Sequence, residues 1–120
     1  MGVHWRDLKV WQESHQLVLE IYRVTASFPK TEVYGLVDQL KRASYSVPAN
    51  IVEGQSRNTT KDYLHFLFNA RGSLEETRYF LMLSKDLGFL DDRIYGNLED
   101  KYSLVSRMLN KMISSLKLRD

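Results

Sequence analysis

The sequence has no cysteine, two prolines and six glycines in 120 residues. Without cysteine there is no disulfide framework, no thiolate metal site and no cysteine nucleophile. So few prolines and glycines leave little punctuation for turns, and sustained period-two alternation is also scarce, which argues against strands. No stretch approaches the roughly 20 apolar residues of a membrane-spanning helix. The start, "MGVHWRDLKVWQ", has no apolar run of the kind a signal peptide needs, so a cytoplasmic protein without a membrane partner is expected. Charge of one sign is not in great excess. Seventeen Lys and Arg against fifteen Asp and Glu give a formal +2, which does not compel a nucleic-acid partner.

Helical spacing fills the chain instead. Apolar residues make up 43% of the sequence, enough for a packed core in one domain spanning residues 1–120. The first segment starts after Asp7, a candidate N-cap. Leu8, Trp11, His15, Val18, Ile21 or Tyr22, and Thr25 follow at three- and four-residue steps. "SFPK" ends it, because Pro29 disfavours a helical residue before it. A second segment begins near Thr31, with Leu36, Leu40, Ala43, Val47, Ile51 and Gly54 on one face. That face keeps its phase on both sides of Pro48, which predicts one helix kinked at the proline. The alternative is a break, with a new helix capped by Ser46 and Pro48 in its first turn. Gly54 is the expected left-handed C-cap.

The third segment is capped by Thr59 or Thr60. It carries Tyr63, Phe66 or Leu67, Ala70, Leu74, Thr77, Leu81, Ser84 and Leu87, and ends at Gly88. Gly72 interrupts its middle at a cost of about 1 kcal/mol relative to alanine; beside Ala70 and Ser73 it predicts close approach of another helix. In the fourth segment Asp91 is the N-cap, and Leu98, Tyr102, Val105, Leu109, Met112 and Leu116 form a bundle-type seam. Four amphipathic helices with short connections predict an all-α, antiparallel up-and-down four-helix bundle. Apolar residues outside single stripes, such as Leu19, Phe68 and Tyr79, point to self-association as well as to a thick core.

Chemistry is sparsely provided. Asp62-x-x-His65 is found once, whereas a di-iron bundle needs two Glu-x-x-His motifs and further carboxylates. Phosphate-binding glycine loops are missing, and Ser44, Ser46 and Ser73 have no His–Asp constellation. No catalytic residue, metal site or cofactor is assigned, and an enzyme built on Glu53, Glu76 and His65 is the weakest reading. Basic residues are the remaining lead. Lys41, Arg57, Lys61, Arg71, Arg107 and Lys111 are candidates for phosphate contact, and from Lys101 to Arg119 five basic residues occur with no acid. Cations at a helix C-terminus also complement its dipole, and surface charge also serves solubility.

The order Phe28-Pro29, Glu32, Tyr34-Gly35-Leu36, Gln39-Leu40, Arg42-Ala43, Ser46, Pro48-Ala49-Asn50, Glu53-Gly54, Gly72-Ser73 and Glu75-Glu76, with Trp11-Gln12 upstream, resembles the four-helix bundle proteins encoded in intervening sequences of bacterial 23S rRNA genes. Lys41 stands where that family often has Arg, and Val52 where Ala is frequent. The resemblance implies a left-handed bundle assembled as a homopentamer around a central channel. It also connects the chain to the accessory variability determinant proteins of diversity-generating retroelements, which associate with a reverse transcriptase and bind nucleic acid through basic surfaces. On that basis the expected partners are further copies of the chain, RNA or DNA, or a nucleic-acid-processing protein; a protein-interaction scaffold without nucleic acid is the rival. Gln39, Arg42, Asn50, Glu53 and Glu76 are expected to form a buried or interfacial polar network, and Pro48, Gly54, Gly72 and Ser73 to serve kinking and close packing.

Overall fold

A computed structural model describes residues 3–119 and contains, among them, four α-helices and no strand. They are α1 (Lys9–Thr25), α2 (Leu36–Gln55), α3 (Thr60–Asp86) and α4 (Asp92–Lys117). Short 3-10 turns at Trp5–Asp7 and Lys30–Glu32 precede α1 and α2. Neighbouring helices in the chain are neighbours in space, and α4 closes the ring against α1. The bundle is antiparallel. At one end Gln55, closing α2, donates to the Val3 carbonyl before α1 at 2.6 Å. At the other, Phe28 after α1 packs on Phe89 after α3, with ring centroids 5.8 Å apart. The molecule measures 46 × 24 × 20 Å, its long axis set by the 26- and 27-residue helices.

The caps explain the boundaries. Thr59 Oγ1 accepts from the Asp62 N–H at 3.1 Å and Asp91 Oδ1 from the Ile94 N–H at 2.8 Å, satisfying donors that a helix start leaves unpaired. The end of α3 follows the Schellman pattern. Gly88 has φ +82°, its N–H donates to the Lys85 carbonyl, and the Phe89 N–H donates to Ser84. Two expected starts lie elsewhere. Asp7 belongs to the 3-10 turn, and Leu8, which has no capping side chain, is the N-cap of α1. The second helix begins at Leu36, not near Thr31. Thr31 sits in the 3-10 turn that Pro29 opens, and Gly35 (φ −114°, ψ −106°) is the non-helical N-cap.

α2 runs unbroken through Pro48, so the expected continuity holds and the alternative of a break falls; a kink is not confirmed. The lost hydrogen bond costs about 3 kcal/mol in a helix interior. The proline ring is buried, and removing its apolar surface from water offsets part of that cost. Ser44 does not reach the carbonyl freed by Pro48; its hydroxyl donates to Lys41 O at 2.8 Å. Ser46 instead accepts from Asn50 Nδ2 and, across the helix pair, from the Ser73 hydroxyl, each at 3.0 Å.

The core follows the expected seams on α2, α3 and α4. Leu40, Val47, Ile51, Leu67, Ala70, Leu74, Leu81 and Leu109 are fully buried. On α4, Ile113 is buried and Met112 only half-buried. On α1 the second half of the face follows its expectation, with Val18, Ile21 and Thr25 buried, but the first half is turned. Val10, Ser14 and Leu17 go inside, while Trp11 and His15 stay at the rim with stacked rings 5.0 Å apart.

Two of the three helical glycines depart from an expected role. Gly54 is not a C-cap. It lies inside α2, buried, where a Cβ would meet Tyr63 Cδ1 at 2.9 Å and Phe66 Cβ at 3.1 Å. Gly72 is exposed, and a Cβ there would meet nothing within 4 Å, so no helix of the same chain approaches it. Gly54→Ala is therefore expected to lower stability by up to about 2 kcal/mol, an overpacking cost of roughly 1–3 less about 1 from helix propensity. Gly72→Ala should raise stability by about 1 kcal/mol. Denaturant unfolding of the two variants measures both, and equal shifts would contradict the close contact at Gly54.

Two tyrosines give the bundle an alkaline limit. Burial pushes the Tyr63 phenol up to about 12, with Arg119 pulling the other way. Burial, aided by the Glu20 carboxylate, raises Tyr102 further. In the folded chain both keep protons that an unfolded phenol gives up near pH 10. The unfolded state thus binds fewer protons above that pH, and stability is expected to fall as pH rises from about 10 through 12. Denaturant midpoints across this range test the sign, and Tyr63→Phe should make the fall shallower.

Candidate nucleic-acid interface

The six basic candidates separate into three regions. Lys41, half-buried on α2, holds its ammonium 4.6 Å from the Tyr22 ring of α1. Arg57, just past α2, pairs with Glu53 at 2.9 Å and lies over Phe66 at 4.5 Å. Lys61 is exposed in the first turn of α3, beyond the same loop. Lys111 borders a cleft at this end of the bundle. Arg71 and Arg107 belong to the α3–α4 side.

Among the described residues, that side holds the one aromatic ring approached by two cations, one from each of two helices. Phe68, 38% exposed, has the Arg71 guanidinium 5.1 Å from its ring and the Lys117 ammonium 5.3 Å from it. Arg71 comes from the next turn of α3, as three-residue spacing dictates, and Lys117 from the antiparallel α4. Arg71 Nη1 also donates to Asn110 Oδ1 at 3.2 Å, which ties the guanidinium across the groove. Arg107, Asn110, Ser114 and Lys117 follow one another at steps of three, four and three, so they share a face of α4. Arg107, Ser114 and Lys117 are exposed there. An exposed ring between two cations offers a stacking surface with phosphate-neutralising charge on either side. Neither Asn110 nor the pairing of Phe68 with Lys117 was among the expected contacts. The count of cations after Lys101 signalled the charge, but nothing in a linear pattern brings Lys117 to Phe68.

The five residues expected to form one polar network are not joined within the chain. Arg42 pairs with Asp38 at 3.0 Å and Glu53 with Arg57. Asn50 bonds Ser46, and Gln39 and Glu76 are exposed. The reason is reach: a partner one turn away on the same helix orders less chain than one across the groove. The inter-helix ion pair of α3 and α4 lies elsewhere. Arg78 Nε donates to Glu99 at 3.1 Å, and Arg78 Nη1 to Glu75 at 3.1 Å. The hydrogen bond to Glu99 holds the guanidinium above its ordinary value, against the pull of desolvation.

The histidines serve locally. His4 Nδ1 accepts from the Arg6 N–H at 3.1 Å, His15 stacks on Trp11, and His65 meets Phe66 edge-on. Among the described residues no group of three or more His, Asp or Glu could hold a metal ion. No helix among them is long and apolar enough to cross a membrane.

The fold is shared with a solved structure. The crystal structure of a protein of unknown function from the S23 ribosomal protein family of Bacteroides thetaiotaomicron matches with a TM-score of 0.78. The match covers 87% of this chain and 97% of that one at 20% identity, a likeness of fold. No curated protein sequence matches the chain. The family model described as 23S rRNA-intervening sequence protein matches residues 6–111, and the chain belongs to that family.

Proposed function

We propose that this is a non-enzymatic, self-associating helical protein that binds single-stranded nucleic acid, or a ribonucleoprotein, through the α3–α4 groove. The observation that carries the reading is Phe68 held between Arg71 and Lys117. Bases stack on exposed aromatic rings, and phosphates are neutralised by flanking cations; the pairing of the two is what sequence-tolerant single-strand binding uses. Arg107 extends the positive side along α4, while Lys61 and Arg57 supply charge at the bundle end. A purified chain is expected to bind a single-stranded RNA oligonucleotide with an affinity that falls steeply with salt. Phe68→Ala should weaken binding by about tenfold or more, the worth of one stacked base. Arg71→Gln should reduce the salt slope by about 1, with circular dichroism confirming that the fold persists. Binding that is absent at low salt, or indifferent to salt, would refute the proposal and leave a protein-interaction scaffold.

Self-association is supported by the opposite side of the bundle. Leu19 and Tyr22 on α1 and Tyr45 on α2 are 41%, 45% and 46% exposed. They share one face, since Lys41 lies on Tyr22, Tyr45 is one turn from Lys41 and Leu19 one turn from Tyr22. Exposed aromatic and aliphatic side chains gathered in this way mark contact surfaces. The homopentamer implied by the family resemblance is the specific form expected, so light scattering should give five times the chain mass. Tyr45→Lys should reduce it without unfolding the helices. A wild-type mass equal to one chain would end this part of the proposal.

A further inference from the structure

Among the described residues, side chains leave the end of the bundle where α1 and α3 begin and α2 and α4 finish open. A cleft of about 520 Å³ opens there, within the range of roughly 300–1,000 Å³ typical of small-molecule sites. Its apolar lining comes from Leu8, Val10, Met108, Met112 and Leu116. Methionine adapts its shape to what it packs against, which suits a lining that must accept a flexible guest. On one wall Tyr63 donates to Gln55 Oε1 at 2.6 Å, and Gln55 donates on to the Val3 carbonyl at 2.6 Å. The phenol, raised to about 12, keeps its proton and hence this bond at neutral pH. These polar groups are already paired to one another. What the cleft offers a guest is apolar surface within and charge at its exposed edge, where Lys111 and Arg119 stand. Among the described lining residues there is no carboxylate.

We infer that this cleft binds a small amphipathic anion, an aliphatic body carrying a single carboxylate, with the chain against Met108, Met112 and Leu116 and the head between Lys111 and Arg119. The site is separate from the α3–α4 groove and stands without the nucleic-acid reading. Complementing the helix dipole does not account for both cations. That effect fades within the last turn of a helix, and Lys111 lies more than a turn before Lys117, the final residue of α4.

The test is calorimetric titration of the full chain with decanoate, decanol and decyltrimethylammonium, each as a monomeric solute. Decanoate should bind most tightly and decyltrimethylammonium least. Lys111→Gln and Arg119→Gln should each weaken decanoate by about two- to fivefold, the worth of one exposed charge pair, and leave decanol unchanged. Met112→Trp, which fills the cleft, should abolish binding of both; the two glutamine variants are on the surface and keep the test decisive if the tryptophan disturbs folding. No decanoate binding, or equal binding of the anionic and cationic amphiphiles, would overturn the inference. So would a change of oligomer mass in place of a change in affinity, which would make the cleft a contact between copies.

Discussion

The structure turns on how closely α2 and α3 lie, for they are the most intimately apposed pair in the bundle. The approach is possible because small residues of α2 stand at the contact. Gly54 lies against Tyr63 and Phe66 with no room for a methyl group. Farther along, Ser46 and Ser73 meet hydroxyl to hydroxyl. These two contacts, at different heights along the same pair, fix both spacing and register. They also fix the rotation of α3. With Ala70, Leu74, Thr77 and Leu81 turned inward, Phe68 and Arg71 are carried round towards α4. The surface proposed to meet a partner is thus set by a contact on the other side of the helix.

Much of this was legible in the sequence. Four helices, the caps at Thr59 and Asp91, the left-handed glycine at Gly88 and the α4 seam follow from spacing and end chemistry, which are local. Passage of α2 through Pro48 was also readable, because an apolar face that keeps its phase records the helix even where one hydrogen bond is lost. What failed had a common cause. Gly54 has the residue type of a C-cap and ends an apolar run, yet its glycine answers to Tyr63, nine residues on in another helix. Gly72 has the neighbours of a packing site, yet no helix of its own chain lies over it. On α1, Trp11 and His15 share the spacing of the core face, but large amphipathic rings gain enough by lying flat on each other at the rim.

The candidate sites show the same division. Each cation was visible singly, and three of the six, Lys41, Arg57 and Arg71, lie over aromatic rings, Arg57 also against a carboxylate. The polar set Gln39, Arg42, Asn50, Glu53 and Glu76, expected from the family resemblance as one buried or interfacial network, is not joined within the chain. In the folded chain their helical faces put them near solvent, and helical neighbours such as Asp38 and Arg57 satisfy them first. The Phe68 platform needed two helices whose contributing residues, Arg71 and Lys117, are brought together only by the antiparallel fold.

The placement of the surfaces bears on how they would act together. In a ring of four helices, the α1–α2 side and the α3–α4 side lie back to back. An assembly formed through Leu19, Tyr22 and Tyr45 would leave every copy of Phe68, Arg71 and Lys117 facing outward. A single exposed platform of one ring and two cations binds one or two nucleotides weakly. Several such platforms held at fixed separation on one assembly convert later contacts into intramolecular ones, and overall affinity can rise by about 10²–10⁴ without any new kind of contact. The modest net charge then matters less than its repetition. A formal charge of +2 gives a lone chain little attraction for nucleic acid, whereas the proposed assembly would concentrate the same few cations along one strand.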